Sequence, residues 1–368
     1  MKQKIKLKRP DLKRLKLRRP LPRLRRKAPE QKFTQALENL PRITNETVAE
    51  HREEMLSSAR KFIYPLQHTR GRIVKISVGI FIAALVFFTG YVGLGLYRFQ
   101  SSSTFLYGVT QVLPLPIAKA GSSWISYESY LFELRHYMHY YESQQQIDFG
   151  SKSGKDQLAA FKKQAMQQVV NDAYVKQLAK QNNVAVSDQE VNDAVAMLRE
   201  QNRLGNNDQE FEDVLKEFWG WSVDDFKREL RQQLLAQKVV SALDTATNDK
   251  ARRILAQLQN GGDFATVAKA NSDDINTKDS GGEYSFLIDR NTRDLAPKVV
   301  GELFKLQPGQ VSGIVDTGYT LEILKVTAVN EGKLRASHIA SNYQSIGAFI
   351  KPLQDKNPPK YYIKVEQQ

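Results

Sequence analysis

The sequence predicts an α+β protein in four parts: a basic tail, one transmembrane helix, an all-helical domain, and an α/β module with an antiparallel sheet. Three observations predict it. Ile76 to Leu96 is a run of 21 residues without a charge. Residues 126–243 carry capping residues ahead of apolar positions at helical spacing. From Val311 onward the apolar pattern switches to period two, with turn residues between the segments.

Composition sets the outer limits. The 368 residues, 41% apolar and 26% charged, can bury at least two cores and exclude a collagenous, mucin-like or wholly disordered chain. Without cysteine there are no disulfides, thiolate nucleophiles or cysteine-ligated metals, and five histidines offer little from which to build a metal site. No metal or cofactor is expected. The net charge of +14 suggests a nucleic-acid binder only until it is divided by position. Residues 1–72 hold 21 Lys/Arg and 7 Asp/Glu, whereas residues 73–368 hold 33 of each.

In residues 1–27, Lys, Arg, Leu and Pro alternate with a single acid, Asp11; self-repulsion and Pro10, Pro20 and Pro22 predict disorder. The tail supports three readings: attraction to anionic lipid head groups, contact with RNA or the ribosome, and topology determination. Interleaved leucines favour the lipid surface, and the lack of aromatics before Phe33 argues against single-strand RNA, so no specific nucleic-acid partner is expected. The 76–96 run is long enough to cross a bilayer and lies too far from the start for a cleavable signal. Arg70, Arg72 and Lys75 precede it and only Arg98 follows closely, which places the N-terminus in the cytoplasm and the C-terminal domains outside the cell membrane.

Beyond the span, residues 101–126 read as a Ser/Pro-punctuated stalk ending in a hairpin at Gly121-Ser122. Ser126 opens an aromatic-rich helix, and a second runs from about Lys155 to Gln181. Ser187 with Glu190 forms a capping box for a helix with Val191, Ala194, Val195 and Leu198 on one face. A further helix stops at Gly220, and Ser222 with Asp225 caps a long one carrying Phe226, Leu230 and Leu234. After Thr245, two helices precede the strand-like segments 311–317, 320–329 and 333–340, the last two joined at Asn330-Glu331-Gly332. His136 and His139 have a metal-compatible spacing but lack a third ligand at a helical interval, and read as part of a tyrosine-rich packing face. Gly261-Gly262 and Gly281-Gly282 lack the Lys-Ser/Thr of a phosphate loop.

The segments GGDFATVAKANSDD, GGEYSF, LAPKVVGELFKLQPGQVSGIVDT and GYTLEILKV, in that order, resemble the parvulin family of peptidyl-prolyl isomerases. VVNDAYVKQLAKQNNVAVSDQEVNDAV, followed by WSVDDFKRELRQQLLAQKVV, is similar to the helical domain that precedes parvulin modules in SurA-like and PrsA-like exported chaperones. The resemblance covers roughly residues 110–340. With the charge and hydropathy pattern, which gives a basic, largely disordered cytoplasmic tail at 1–72 and a transmembrane helix at 73–97, it implies a helical domain at 98–243 and a parvulin-like module at 244–340. Residues 341–368 are then a C-terminal segment whose YYIKV returns to pair with the hairpin near Trp124.

The resemblance also implies a site in which a proline-containing peptide lies in an apolar pocket beside a polar cluster. Asp274 stands at the family's Cys/Asp position and Thr317 at its Thr. Leu295 and Val299, on either side of Pro297, stand where Met and Phe floor the pocket, with Phe286 expected beside them. Val299 is a large-to-small departure, and Glu322 replaces the second family histidine. The first family histidine belongs to a strand that does not precede the module here; RASHIA, with His338, looks like that strand displaced to the end. On this reading the module is circularly permuted and His338 faces Glu322 across the sheet. Each residue also has an ordinary reading: Asp274 as a loop cap, Thr317 and Glu322 as exposed strand residues, His338 as a structural histidine.

The implied function is a membrane-anchored extracytoplasmic foldase that isomerises X-Pro bonds in unfolded or newly exported proteins. The alternatives are a catalytically weak holdase and an envelope scaffold with a fixed partner.

Overall fold

The computed structural model describes residues 44–63, 65–200 and 207–364. The chain divides at Ala84/Leu85 into two units. The first holds α1, Asn45–Ile63, and the start of α2, Pro65–Gly93. Within the tail expected to be largely disordered over residues 1–72, Asn45–Ile63 is helical; Thr44 and Thr47 exchange hydrogen bonds at the helix start and no proline interrupts. Packing is still lacking on α1, because Met55, Leu56 and Phe62 stay exposed. The expected disorder and lipid contact of residues 1–27 lie outside the described residues. From within α2 into the turn that follows it, Gly71–Arg98 is long and apolar enough to cross a membrane, and residues 71–91 are all exposed.

In the second unit the helix does not lead into a stalk. A single π turn, Leu94–Arg98, follows α2, and α3, Thr104–Val112, is capped by the Ser103 hydroxyl, which accepts from the Leu106 amide. Val92, Leu96, Leu106 and Thr110 are buried. The Ser-rich run that suggested a linker is the N-cap of a helix, and Pro114 is its stop signal.

Strands β1, Pro116–Ala120, and β2, Ser123–Ser126, form the expected hairpin. Next come α4, Tyr127–Gln145; α5, Lys152–Gln181; α6, Asp188–Glu200; α7, Asp208–Trp219; and α8, Val223–Leu243. The capping residues read from sequence for α4, α6 and α8, and the stop of α7, are in place, while the N-caps of α5 and α7, Ser151 and Asn207, are not among those read. The Ser126 and Ser222 hydroxyls accept amides at the starts of α4 and α8, Ser187 and Glu190 exchange bonds at α6, and Gly220 ends α7 at φ 67°. His136 stacks on Trp221 at 4.3 Å, and His139 sits 3.0 Å from the Glu217 carbonyl, so both serve packing.

The main core gathers Leu96, Leu106, Tyr127, Tyr130, Leu131 and Tyr174 around the hairpin, and two tyrosine hydroxyls tie the end of the apolar helix to it. Tyr127 donates to the Leu96 carbonyl at 2.6 Å and Tyr97 to the Pro116 carbonyl at 2.7 Å. The C-terminal segment also packs here. Helix α12, Ile346–Lys356, buries Ile350 in this core, β6, Lys360–Tyr361, pairs with β1, and Tyr362 stacks on Trp124 at 5.9 Å.

The remaining elements are α9, Thr245–Gln259; α10, Phe264–Asn271; α11, Pro297–Leu303; β3, Val311–Asp316; β4, Thr320–Asn330; and β5, Lys333–Asn342. They form an antiparallel sheet of order β3-β4-β5, flanked beside β5 by two bridges from the segment 283–288. The β4–β5 turn needs positive φ at both Glu331 (48°) and Gly332 (78°), the two-residue turn whose twist matches its strands.

Candidate active site

Register brings the site together. In the β4–β5 ladder Leu324 lies opposite His338 and Glu322 opposite Ala340, so Glu322 and His338 are diagonal neighbours on one face. Their side chains meet, with His338 Nδ1 3.0 Å from Glu322 Oε2. The other ring nitrogen, Nε2, lies 2.9 Å from Asp274 Oδ2 and 2.8 Å from the Thr277 hydroxyl.

The loop after α10 reaches this histidine because it is zipped onto β5. Asp273 donates its amide to the Ala340 carbonyl at 2.8 Å, and the Ser272 hydroxyl accepts amides from both Asp274 and Ala340. Asp274 then has two tasks. One carboxylate oxygen accepts the Asn276 amide at 3.0 Å, while the other takes the Thr277 hydroxyl at 2.6 Å and faces His338. The loop-cap reading and the site reading of Asp274 thus describe two oxygens of one carboxylate.

From the far side, Gly282 accepts the His338 amide at 2.8 Å with φ at 84°, and a Cβ there would collide with the His338 carbonyl oxygen. That close approach lets Tyr284 lay its ring on the imidazole, centroids 4.4 Å apart at 23°. The Tyr284 hydroxyl points to Glu322 Oε2 at 3.5 Å, the outer limit of a hydrogen bond.

His338 is buried, 6% exposed, and carboxylate oxygens face both of its ring nitrogens. Each ring nitrogen thus has an acceptor for a hydrogen that it carries. Burial disfavours ionisation of Asp274, yet its pKa lies below the usual carboxylate range because the Thr277 hydroxyl, the Asn276 amide and His338 outweigh it. The Tyr284 hydroxyl is pushed far above its ordinary value by burial and by the neighbouring Glu322.

Asp274 and Glu322 therefore both contact His338, one at each ring nitrogen. Thr317 does not: its hydroxyl bonds Thr320 at 2.8 Å and closes the β3–β4 turn, and it is Thr320 that donates to Glu322 Oε1 at 3.1 Å. Val299 does not floor an open slot. It is 1% exposed in a core with Tyr284, Leu303 and Leu324, so at that point the expected slot is filled by the chain's own side chains. Leu295 is half-buried against the same core, and Phe286, 37% exposed, stands 5.7 Å from Tyr284. Beside them Ile275 is 84% exposed and Leu287 44%. Sequence reasoning missed Thr277, Tyr284 and Thr320. Thr320 carries a signal in hindsight, two residues before Glu322 on the same strand face.

A family model described as a SurA-like N-terminal domain matches residues 64–240, and one described as a PPIC-type PPIASE domain matches residues 234–328. The second match ends before β5 and so does not cover His338. Foldase protein PrsA of Clostridium botulinum is 26% identical over 255 residues, which span 59% of this chain and 74% of the relative. Foldase protein PrsA 3 of Bacillus cereus is 27% identical over 167 residues, 40% of this chain and 56% of the relative. Among solved structures, the peptidylprolyl isomerase PrsA from Bacillus anthracis aligns with 52% of this chain and 88% of its own at 18% identity, with a TM-score of 0.17.

Proposed function

This chain joins a SurA-like N-terminal domain to a PPIC-type rotamase domain, the make-up of a parvulin-type peptidyl-prolyl cis-trans isomerase, and we propose that its isomerase site is the cluster around His338. The chain is an extracytoplasmic foldase. We further read its module, 244–340, as circularly permuted, residues 98–243 with 341–368 as the chaperone domain, and Gly71–Arg98 as a single-pass anchor with the N-terminus in the cytoplasm. Its partners on this reading are proline-containing exported proteins and the bilayer.

Rotation about a prolyl amide faces a barrier of about 20 kcal/mol and takes tens of seconds or more unaided. No bond is made or broken, so catalysis needs only a surface that binds the twisted amide better than the planar one. Of Asp274, Glu322 and His338, Asp274 is the most exposed, its side chain 22% exposed against 7% for His338 and 13% for Glu322. We assign Asp274 to face the peptide, with His338, Thr277 and Glu322 as positioning residues and Phe286, Leu295 and Ile275 as apolar flanks. The observation that carries this reading is the imidazole held between two carboxylates, a fixed charge pattern that costs no reorganisation during the reaction.

In a protease-coupled proline-peptide assay on the full chain in detergent, Asp274→Ala is expected to lower kcat/KM about tenfold, or about 1.4 kcal/mol. Wild-type turnover in that variant removes the assignment. The holdase reading has its own observation: a 760 Å³ groove in which Val184, Val186, Ala194 and Leu234 offer apolar surface. Suppression of client aggregation that survives Asp274→Ala would place client holding there.

A further inference from the structure

The second unit carries a charged cleft that neither the isomerase site nor the apolar groove uses. It opens at the last residue of the apolar helix, encloses 660 Å³, and is lined by five cations, Arg98, Lys155, Lys162, Lys163 and Lys364, against one carboxylate, Asp156. Lys155, Lys162 and Lys163 recur at i, i+7 and i+8 along α5 and so share one face. Among the described residues no carboxylate comes within ion-pair distance of any of the five. Lys162 is half-buried, and desolvation makes it less basic than an ordinary lysine. A cluster of like charges with no counter-ion, one of them partly desolvated, is stabilised by an anion from outside.

What surrounds the cleft narrows the anion. Phe99, 72% exposed, forms part of its lining. Helix α3 turns Leu106 and Thr110 inward but leaves Phe105 56% and Val112 80% exposed, and Phe105 contacts the ring of Tyr91 on α2 at 6.0 Å. Cations beside the exposed Phe99, at the end of a helix of membrane-spanning length and a few residues before the exposed side chains of α3, match a ligand that is anionic at one end and apolar at the other.

We propose that this cleft binds the phosphate head group of an anionic phospholipid in the leaflet from which the apolar helix emerges, with Phe99 and the outward face of α3 against its acyl chains. The site rests on the anchor reading of Gly71–Arg98. It would hold the folded unit against the bilayer surface.

The chain lacks cysteine, so Ala159→Cys on the cleft wall accepts one environment-sensitive fluorophore in the full chain. In phosphatidylcholine vesicles with a rising fraction of phosphatidylglycerol, the emission is expected to shift saturably. Combining Lys155→Gln, Lys162→Gln and Lys163→Gln is expected to raise the half-saturating fraction about tenfold, while Lys269→Gln, Lys305→Gln and Lys333→Gln together leave it unchanged. An equal loss in both triple variants reduces the effect to general surface charge and overturns the site. Inorganic phosphate producing the same shift in neutral vesicles overturns the lipid as its source. Alkaline carbonate extraction reads the anchor separately: a chain that stays in the vesicles without responding to phosphatidylglycerol refutes the cleft alone, and one that washes out refutes the anchor.

Discussion

Carboxylates leave water in two regions of this chain, and the two regions resolve the cost in opposite directions. At the sheet, Asp274 is held ionised by a hydroxyl, an amide and an imidazole, and its pKa shifts downward in spite of burial. Among α4, α5 and α8, burial raises Glu133 and Glu229, which share a hydrogen bond, and raises Asp172 to about 7. Arg228 is close but committed, giving two hydrogen bonds to Glu128 and resting over Phe132 at 4.3 Å. Burial by itself does not decide ionisation; the number of donors aimed at the carboxylate does. An ionised carboxylate with an oriented partner suits binding a polarised peptide, whereas a protonated pair suits a helix interface.

The largest effect is expected from Gly282→Val, which drives a branched Cβ into the His338 carbonyl at a φ of 84°. A loss of about 3 kcal/mol or more in denaturant unfolding is expected; an unchanged midpoint would mean that the approach of residues 282–284 to β5 is not what fixes the site. Next in size is the pH response of the helical region. A carboxyl whose acidity falls on folding keeps its proton in the folded state after the unfolded chain has lost it. Stability is therefore highest near the ordinary carboxylate range and declines as pH rises towards about 7 for Asp172. Asp274 has the reverse sign: its contribution is complete above the ordinary range and disappears as pH falls through its lowered value. Between pH 5 and 8, unfolding of the full chain should thus show a decline on the order of 2 kcal/mol that Glu133→Gln reduces and Asp274→Asn leaves in place. A decline that survives Glu133→Gln unaltered breaks the contrast. Smaller again is Thr277→Ala, expected to cost about 1 kcal/mol and to lower isomerase turnover, because it frees both Asp274 and His338. Thr317→Ala is expected to affect stability through the β3–β4 turn while turnover stays near wild type, and an equal drop in turnover would restore Thr317 to the site.

Much of this was legible where short-range chemistry decides. The capping serines at 126, 187 and 222, the stop at Gly220 and the turn at Glu331-Gly332 are local events, and the sequence writes them locally. The Glu322–His338 contact was also legible, because a tight turn between two period-two segments fixes their register. What was not legible depends on contacts between distant segments. Helix α3 looked like a stalk because its Ser-rich cap resembles a linker and the burial of Leu106 is decided by a core built from residues far along the chain. Tyr284 reads as one more aromatic until the bridges from residues 283–288 set its ring on His338. Val299 matched a pocket position in sequence, and only the packing of α11 on the sheet assigns it to the core.

If Asp274 and His338 act as one unit, they must be coupled in turnover as well as in space. The measurement is a double-mutant cycle on kcat/KM of the full chain with Asp274→Ala, His338→Ala and both together. We expect each single variant to lose about tenfold and the double variant to lose little more than either one. Losses that multiply in the double variant, or turnover at the wild-type rate in either single one, would contradict an isomerase site built around the imidazole of β5.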